Sequence, residues 1–306
     1  MMKRKDLLGL DGVSREEITE ILDNAMMMRQ IVRSNNKKTA HLQGKSIVTL
    51  FYENSTRTRM SFELASKYMS AAAANISASA SSVAKGETLI DTGVTLDQMG
   101  TDVIIIRHPM SGAPALLAKH VRSSVINAGD GMNEHPTQAL LDMMTMRDHL
   151  GGLDGIKVAI CGDVMHSRVA RSNIYGLTTM GAKVVLCAPP TLIPPRIEEL
   201  GCTVAPTIED ACEKADVVMG LRIQRERQQK GLFPSVAEYC DNWEITPERV
   251  ALAKKDALVM HPGPMNRGVE IASSIADSPQ SVINQQVESG VSVRMALLYM
   301  LTRREA

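Results

Sequence analysis

Ser46-Ile47-Val48-Thr49-Leu50-Phe51-Tyr52-Glu53-Asn54-Ser55-Thr56-Arg57-Thr58-Arg59-Met60-Ser61-Phe62-Glu63 carries the reading of this chain. Its first seven residues are short, β-branched and apolar, the pattern of a buried strand over Ser46–Tyr52. Met60, Phe62, Leu64, Ala65 and Tyr68 fit a helix over Arg57–Met69 better than a strand. Between strand and helix stand three hydroxyls, two guanidiniums and backbone N–H groups that have no intrahelical partner. A helix start carries about half a positive charge, and arginine adds a planar fork matched to two phosphate oxygens. The segment reads as a phosphate cradle without the glycines and lysine of a P-loop. Ser/Thr capping followed by solvated arginines explains it equally well in isolation.

Outward from this unit, strands and helices alternate. Ser14-Arg15-Glu16-Glu17 is a capping box ahead of an Ile18, Ile21, Leu22, Ala25 stripe. Strands are expected near Ala74–Ala78, Asp102–Arg107 and Ser124–Asn127, with helices over Thr88–Met99, Ala115–Lys119 and Pro136–Leu150. Gly151-Gly152 interrupts the series. A second one follows, with strands Lys157–Cys161, Lys183–Cys187, Thr203–Ala205, Asp216–Met219 and Ala257–His261. Its helices are Arg168–Met180, Ile208–Lys214 and one opened by Thr246-Pro247. Strand–helix alternation predicts an α/β protein of two domains, each a parallel β-sheet flanked by helices on both faces. The expected division is 1–150, 151–290 and a C-terminal helix, 291–306, that packs back on the N-terminal domain. Its apolar period covers Val291–Thr302.

Composition narrows the function. The 306 residues carry 34 Lys+Arg against 34 Asp+Glu, a formal net charge of zero that argues against a nucleic-acid surface. No run approaches the ~20 apolar residues of a membrane span, and the basic start leads into too short an apolar run for a signal peptide. Five cysteines (161, 187, 202, 212, 240) lack CxxC spacing and read as free thiols of a reducing cytoplasm. Twenty methionines against three phenylalanines and one tryptophan indicate cores filled by flexible side chains.

Polar clusters recur after strands, where open parallel sheets bind ligands. Ser81-Ser82-Val83-Ala84-Lys85-Gly86-Glu87-Thr88 offers a loop lysine and a capping threonine. Arg107-His108-Pro109 closes an isoleucine-rich strand. His135 precedes a helix-starting proline, a position that favours a neutral imidazole donor. Gly162-Asp163-Val164-Met165-His166-Ser167-Arg168 lacks GxGxxG and is a weak dinucleotide signal, but Arg168 opens a helix and suits a carboxylate. Arg222 and Gln224 begin a polar loop and could read a second carboxylate. His261-Pro262-Gly263-Pro264 is a tight turn, a setting for a cis X-Pro bond, with backbone carbonyls exposed to accept from an amide. Each cluster alone has a bland explanation as a solvated loop or surface ion pair; six in succession at strand ends do not.

Together these segments closely resemble the aspartate carbamoyltransferase catalytic chains, bacterial type, of the aspartate/ornithine carbamoyltransferase superfamily. The matching pieces are Ser55-Thr56-Arg57-Thr58-Arg59, Lys85-Gly86-Glu87-Thr88, Arg107-His108-Pro109, His135-Pro136-Thr137-Gln138, Arg168, Arg222-Ile223-Gln224 and His261-Pro262-Gly263-Pro264. The resemblance implies a carbamoyl-phosphate-binding domain followed by an aspartate-binding one. It implies that Ser55, Thr56, Arg57 and Thr58 hold the phosphate of carbamoyl phosphate, while Thr58, Arg107 and His135 polarise its carbonyl. Gln138 and the Pro262-Gly263-Pro264 backbone would hold the carbamoyl NH₂, and Arg168, Arg222 and Gln224 the carboxylates of L-aspartate. Ser81, toward carbamoyl phosphate, and Lys85, toward aspartate, would come from a neighbouring subunit of a homotrimer with shared active sites. The resemblance implies no cofactor and no metal, and it allows regulatory chains or a dihydroorotase as further partners. Ala84 stands where some members carry a second lysine, and Gly263 where some carry leucine. The rivals are an ornithine carbamoyltransferase, which must bind a cationic side chain, and a catalytically silent scaffold, expected to have lost Arg57, Lys85, Arg107 or His135.

Overall fold

The computed structural model describes residues 4–77, 86–223 and 235–303. The chain divides into two compact units, Met1–Met144 with Val287–Ala306, and Thr145–Gln286. Among the described residues no helix is long and apolar enough to cross a membrane.

The first unit opens with α1 (Arg15–Arg33), whose capping box is formed: Ser14 Oγ accepts from Glu17 N–H and Glu17 accepts from Ser14 N–H. Then come β1 (Ser46–Phe51), α2 (Thr56–Tyr68), β2 (Ala72–Ser77), α3 (Leu89–Gln98), β3 (Val103–His108), α4 (Ala113–Ala118), β4 (Ser124–Asp130) and α5 (Pro136–Leu150). All pairings are parallel, in the order β2-β1-β3-β4. Val48, Leu50, Ile104, Ile106 and Val125 pack against Leu96 of α3 and Leu117 of α4. The alternate residues Ile47, Ile105 and Ile126 are equally buried, as strands covered on both faces require.

The second unit holds β5 (Lys157–Cys161), α6 (Arg168–Thr179), β6 (Lys183–Cys187), β7 (Thr203–Val204), α7 (Ile208–Cys212), β8 (Val217–Gly220), α8 (Val236–Trp243), α9 (Pro247–Val250), β9 (Leu258–Met260) and α10 (Ser273–Ala276). Its sheet is parallel throughout, in the order β7-β6-β5-β8-β9. Cys161, Cys187 and Cys212 are buried in its core with Ala159, Ile208, Val218 and Val259. Burial pushes the Cys187 thiol up to about 12 and that of Cys202 to about 11, so both are poor nucleophiles at neutral pH.

The final helix, α11 (Ile283–Thr302), starts eight residues before the apolar period does. Val287 is exposed there while Gln286 and Ser289 are buried, so that part of the helix has a polar buried face and no apolar stripe to betray it. Other expected elements also shift at their ends. β4 continues to Asp130, because His108 and Asp130 are still paired across the sheet. α7 ends at Cys212, and Lys214 turns left-handed (φ 53°) with its N–H on Leu252 O. The helix opened by Pro247 is a single turn.

Candidate active site

In each sheet the strand order reverses at an interior pair, β1/β3 in the first unit and β5/β8 in the second. A crevice opens beyond the carboxyl ends at such a point. The first crevice is bordered by the start of α2. Ser55 is its N-cap in extended conformation (φ −157°, ψ 109°), yet its hydroxyl makes no cap hydrogen bond, and the first turn holds no acidic residue. Elsewhere hydroxyl caps close onto their helices: Ser14, Thr88, Ser167, Thr207, Ser235 and Thr246 each accept from the third amide. The α2 terminus thus keeps its positive end for an anion. Thr58 is buried, Ser55 half-buried, and Thr56 and Arg57 exposed.

Arg107 closes β3 beside this helix start. Its Nε donates to Glu53 Oε2 at 3.1 Å and its Nη1 to Ala128 O at 3.3 Å. The guanidinium therefore spans the ends of β1, β3 and β4. Neighbouring His108 does something else: its Nδ1 accepts from Met110 N–H at 3.0 Å and its ring lies 4.6 Å from that of Tyr52. Burial lowers its pKa below 6.5.

His135 is buried and immediately precedes α5; its carbonyl accepts from Gln138 N–H at 3.0 Å. The loop that delivers it is tied by Asp130, 1% exposed. Asp130 accepts from Gly112 N–H (2.7 Å), Asn127 Nδ2 (2.7 Å), Glu134 N–H (3.1 Å) and Asn133 Nδ2 (3.1 Å). Gly131 (φ +50°) admits no side chain: a Cβ would lie 2.8 Å from Ser111 N and 2.9 Å from Pro109 O. The carboxylate of Glu134 is buried beneath the N-terminal segment and accepts from Leu10 N–H at 2.7 Å. Gln138 lies one turn into α5, and its Nε2 donates to Asp142 Oδ1 at 3.0 Å.

In the second unit the loops after β5 and β8 touch through their backbones. Gly162 (φ +129°) has space for nothing larger, since a Cβ would sit 2.7 Å from Leu221 O. Asp163, fully buried, accepts from His166 Nδ1 at 2.9 Å and from His166 N–H at 3.2 Å. Ser167 caps α6, whose first residue is the buried Arg168. Arg222, half-buried, stands two residues beyond β8. After β9, His261 N–H donates to Gln286 Oε1 (3.0 Å), and His261 Nδ1 accepts from Gly263 N–H (2.8 Å). Its Nε2 faces Glu270 Oε1 at 3.3 Å. That ring folds the Pro262-Gly263-Pro264 turn, whose Gly263–Pro264 bond is cis.

The first unit thus brings Ser55, Thr56, Arg57, Thr58, Arg107, His135 and Gln138 to one sheet edge. The second does the same for Arg168, Arg222, Pro262, Gly263 and Pro264. Ser81, Lys85 and Gln224 lie outside the described residues. The sequence reading missed Glu53, Asp130, Asp142 and Asp163. Glu53, Asp130 and Asp163 stand at or just beyond strand ends within the quoted motifs, whereas Asp142 lies mid-helix one turn after Gln138. The acidic residues of the motifs were a signal, but the partners of Glu53 and Asp130 on β3 and before α4 are set by long-range packing. Among the described residues no group of His, Cys, Asp or Glu is arranged to hold a metal.

The α/β chain thus places a hydroxyl-rich, uncapped helix start with Arg57 and Arg107 at one switch point, and Arg168 and Arg222 beyond the strand ends at another. The chain belongs to the aspartate/ornithine carbamoyltransferase family: the model of its carbamoyl-P binding domain matches residues 5–148, and that of its Asp/Orn binding domain matches 154–301. The chain is 68% identical over 303 residues to an aspartate carbamoyltransferase catalytic subunit of Ruminiclostridium cellulolyticum, covering 99% of this chain and 97% of that one. A crystal structure of aspartate transcarbamoylase from Trypanosoma cruzi, in complex with carbamoyl aspartate and phosphate, superposes with TM-score 0.88 at 32% identity, covering 97% and 96% of the two chains. Ornithine carbamoyltransferase from Pyrococcus furiosus superposes nearly as well, with TM-score 0.85 at 31% identity and 96% and 95% coverage.

Proposed function

We propose that this chain transfers the carbamoyl group of carbamoyl phosphate to the amino group of L-aspartate, giving N-carbamoyl-L-aspartate and phosphate, an early step of de novo pyrimidine biosynthesis in the cytoplasm. One observation carries the phosphate side: a hydroxyl-rich helix start whose N-cap hydroxyl makes no cap bond, with Arg57 in its first turn and Arg107 beside it. The fold does not separate aspartate from ornithine as acceptor, since both kinds of relative superpose on it. The acceptor side chain does. Arg168 and Arg222 supply cations for two carboxylates, and they would repel the ammonium of ornithine. The 68%-identical relative is named for aspartate, which supports the same choice.

The roles follow from the groups present. Ser55, Thr56, Arg57, Thr58 and the first-turn amides of α2 hold the phosphate. Arg107, His135 and Thr58 donate to the carbamoyl carbonyl, on which negative charge grows as the uncharged amine attacks; preorganised donors of this kind are worth about 3–4 kcal/mol each. Glu53 holds the Arg107 guanidinium in place. Gln138 and the Pro262-Gly263-Pro264 carbonyls accept from the carbamoyl NH₂. Arg168, Arg222 and Gln224 hold aspartate, so that two anions that repel each other in water are aligned for reaction. Attack is direct, with no covalent intermediate.

Ser81 and Lys85 complete the site of a neighbouring subunit in a homotrimer. The described part of β2, which leads toward them, supports this: Ala72, Ala73, Ala74 and Asn75 are exposed on an edge strand, an unprotected row for another surface to cover. Steady-state assays with carbamoyl phosphate and either L-aspartate or L-ornithine test the proposal. Turnover with aspartate alone is expected; turnover with ornithine, or with neither, refutes it.

A further inference from the structure

Near Gln138 lie two buried charged residues that the roles above do not use. Residues 134–146 are buried without a break, so the first ten residues of α5 are covered on every side. Such a helix has no solvated face on which to place a charge. Yet it carries Asp142 at 0% exposure, and α11 brings up Arg294 at 3%. Burial pushes the Arg294 guanidinium down to about 10, and the charge of Asp142 opposes that fall. Arg294 Nη2 lies 3.5 Å from Thr137 Oγ1, and its guanidinium carbon stands 5.1 Å from the ring centroid of Phe62 on α2. One buried cation therefore touches both the cradle helix and the helix of Gln138. Asp142 is the acid whose charge Arg294 feels in this core, so removing both charges together disturbs it less than removing one.

An ionised carboxylate can only accept hydrogen bonds. The 3.0 Å contact between Gln138 and Asp142 therefore fixes the amide group: its NH₂ faces Asp142 and its oxygen faces away. A carbamoyl NH₂ offers only donors, and it requires that oxygen. We propose that Asp142 is a positioning residue that sets the orientation of the Gln138 amide, and through it the preference for an acyl phosphate bearing NH₂ over one bearing methyl. The inference rests on the role of Gln138 proposed above.

Acetyl phosphate differs from carbamoyl phosphate by methyl in place of NH₂, and it is the probe. Its Ki as a competitor of carbamoyl phosphate is compared with the KM of carbamoyl phosphate at saturating aspartate. Asp142→Leu with Arg294→Met removes both charges at similar volume, an exchange that buried pairs often tolerate. The double variant is expected to raise the KM about tenfold, the worth of one good hydrogen bond, with the Ki for acetyl phosphate within about twofold of wild type. Asp142→Asn keeps one acceptor oxygen but adds a donor that can take the Gln138 oxygen, so the amide is no longer held one way; it is expected to shift the KM/Ki ratio in the same direction by about threefold, and it decides the matter should the double variant not fold. Equal losses on the two acyl phosphates, or an unchanged ratio, overturn the inference. Gln138→Leu separates the two levels. If it abolishes the preference while the Asp142 variants retain it, the positioning role of Asp142 is refuted and the role of Gln138 stands. If it retains the preference, that role falls and the inference with it.

Discussion

Asp130→Ala is expected to damage the first unit more than any exchange at an exposed site residue. The carboxylate joins three segments: the end of β4, the turn before α4 and the loop that carries His135. Two of its donors, Asn127 Nδ2 and Glu134 N–H, belong to buried residues. Glu134 N–H would be orphaned at a cost of about 1–3 kcal/mol, whereas Asn127 Nδ2 keeps its bond to Leu8 O (2.8 Å) and loses about 1 kcal/mol. Gly112 is exposed and Asn133 half-buried, so their N–H groups would turn to water and lose under ~1 kcal/mol each. The sum is about 2–5 kcal/mol, a large share of the ~5–15 kcal/mol that holds a domain folded. Asp130→Asn keeps one acceptor oxygen, and its cost is expected to be about half. The assay is the urea midpoint of wild type and both variants, with hydrogen exchange at the Gly112 and Glu134 amides. Those amides should lose protection first, and kcat should fall about tenfold or more as His135 loses its seat. A loss below ~1 kcal/mol in Asp130→Ala, or protection retained at Glu134, would refute the view that this carboxylate organises the loop.

Arg57→Ala removes the cation in the uncapped turn of α2, and kcat is expected to drop about a thousandfold with circular dichroism unchanged; near-normal turnover removes Arg57 from the phosphate site. Mixing Lys85→Ala chains with His135→Ala chains should regenerate intact sites if Lys85 serves a neighbouring subunit, and exchange without recovered activity would show that sites are not shared. His108 has a folded-state pKa lowered by burial, so the unfolded chain binds the extra proton first as pH falls. Its contribution is full above the unfolded value near 6.5 and is lost as pH falls through the lower folded value. The urea midpoint of wild type should therefore decline more steeply than that of His108→Gln between about pH 7 and pH 5, and parallel curves would contradict the sign.

Much of the architecture was legible in local pattern. β5 and β6 stand where their β-branched runs begin and end, and α5 spans Pro136–Leu150 as its proline start and Gly151 stop require. Helix starts were readable because Ser14, Thr88 and Ser167 bond within three residues of themselves. Apolar periodicity failed at the start of α11, which is helical but half-solvated, and capping signals failed at α8, although Ser235 caps it. Within the site, the residues that touch substrate in the proposed mechanism lie in contiguous motifs, because helix starts and strand ends present neighbouring residues to one spot.

What the chain determined by itself was therefore the succession of parallel β/α units, the cradle at the start of α2 and the cationic strand ends. These depend on side-chain period and capping, which act over three or four residues. The tertiary structure alone decided the strand orders that put β1 beside β3 and β5 beside β8, and the contacts Glu53–Arg107 and Thr137–Arg294. The members of those two contacts stand 54 and 157 residues apart in sequence, and no local rule reaches that far. Burial brings such groups together, because a charge taken out of water must find its partner wherever in the chain that partner lies.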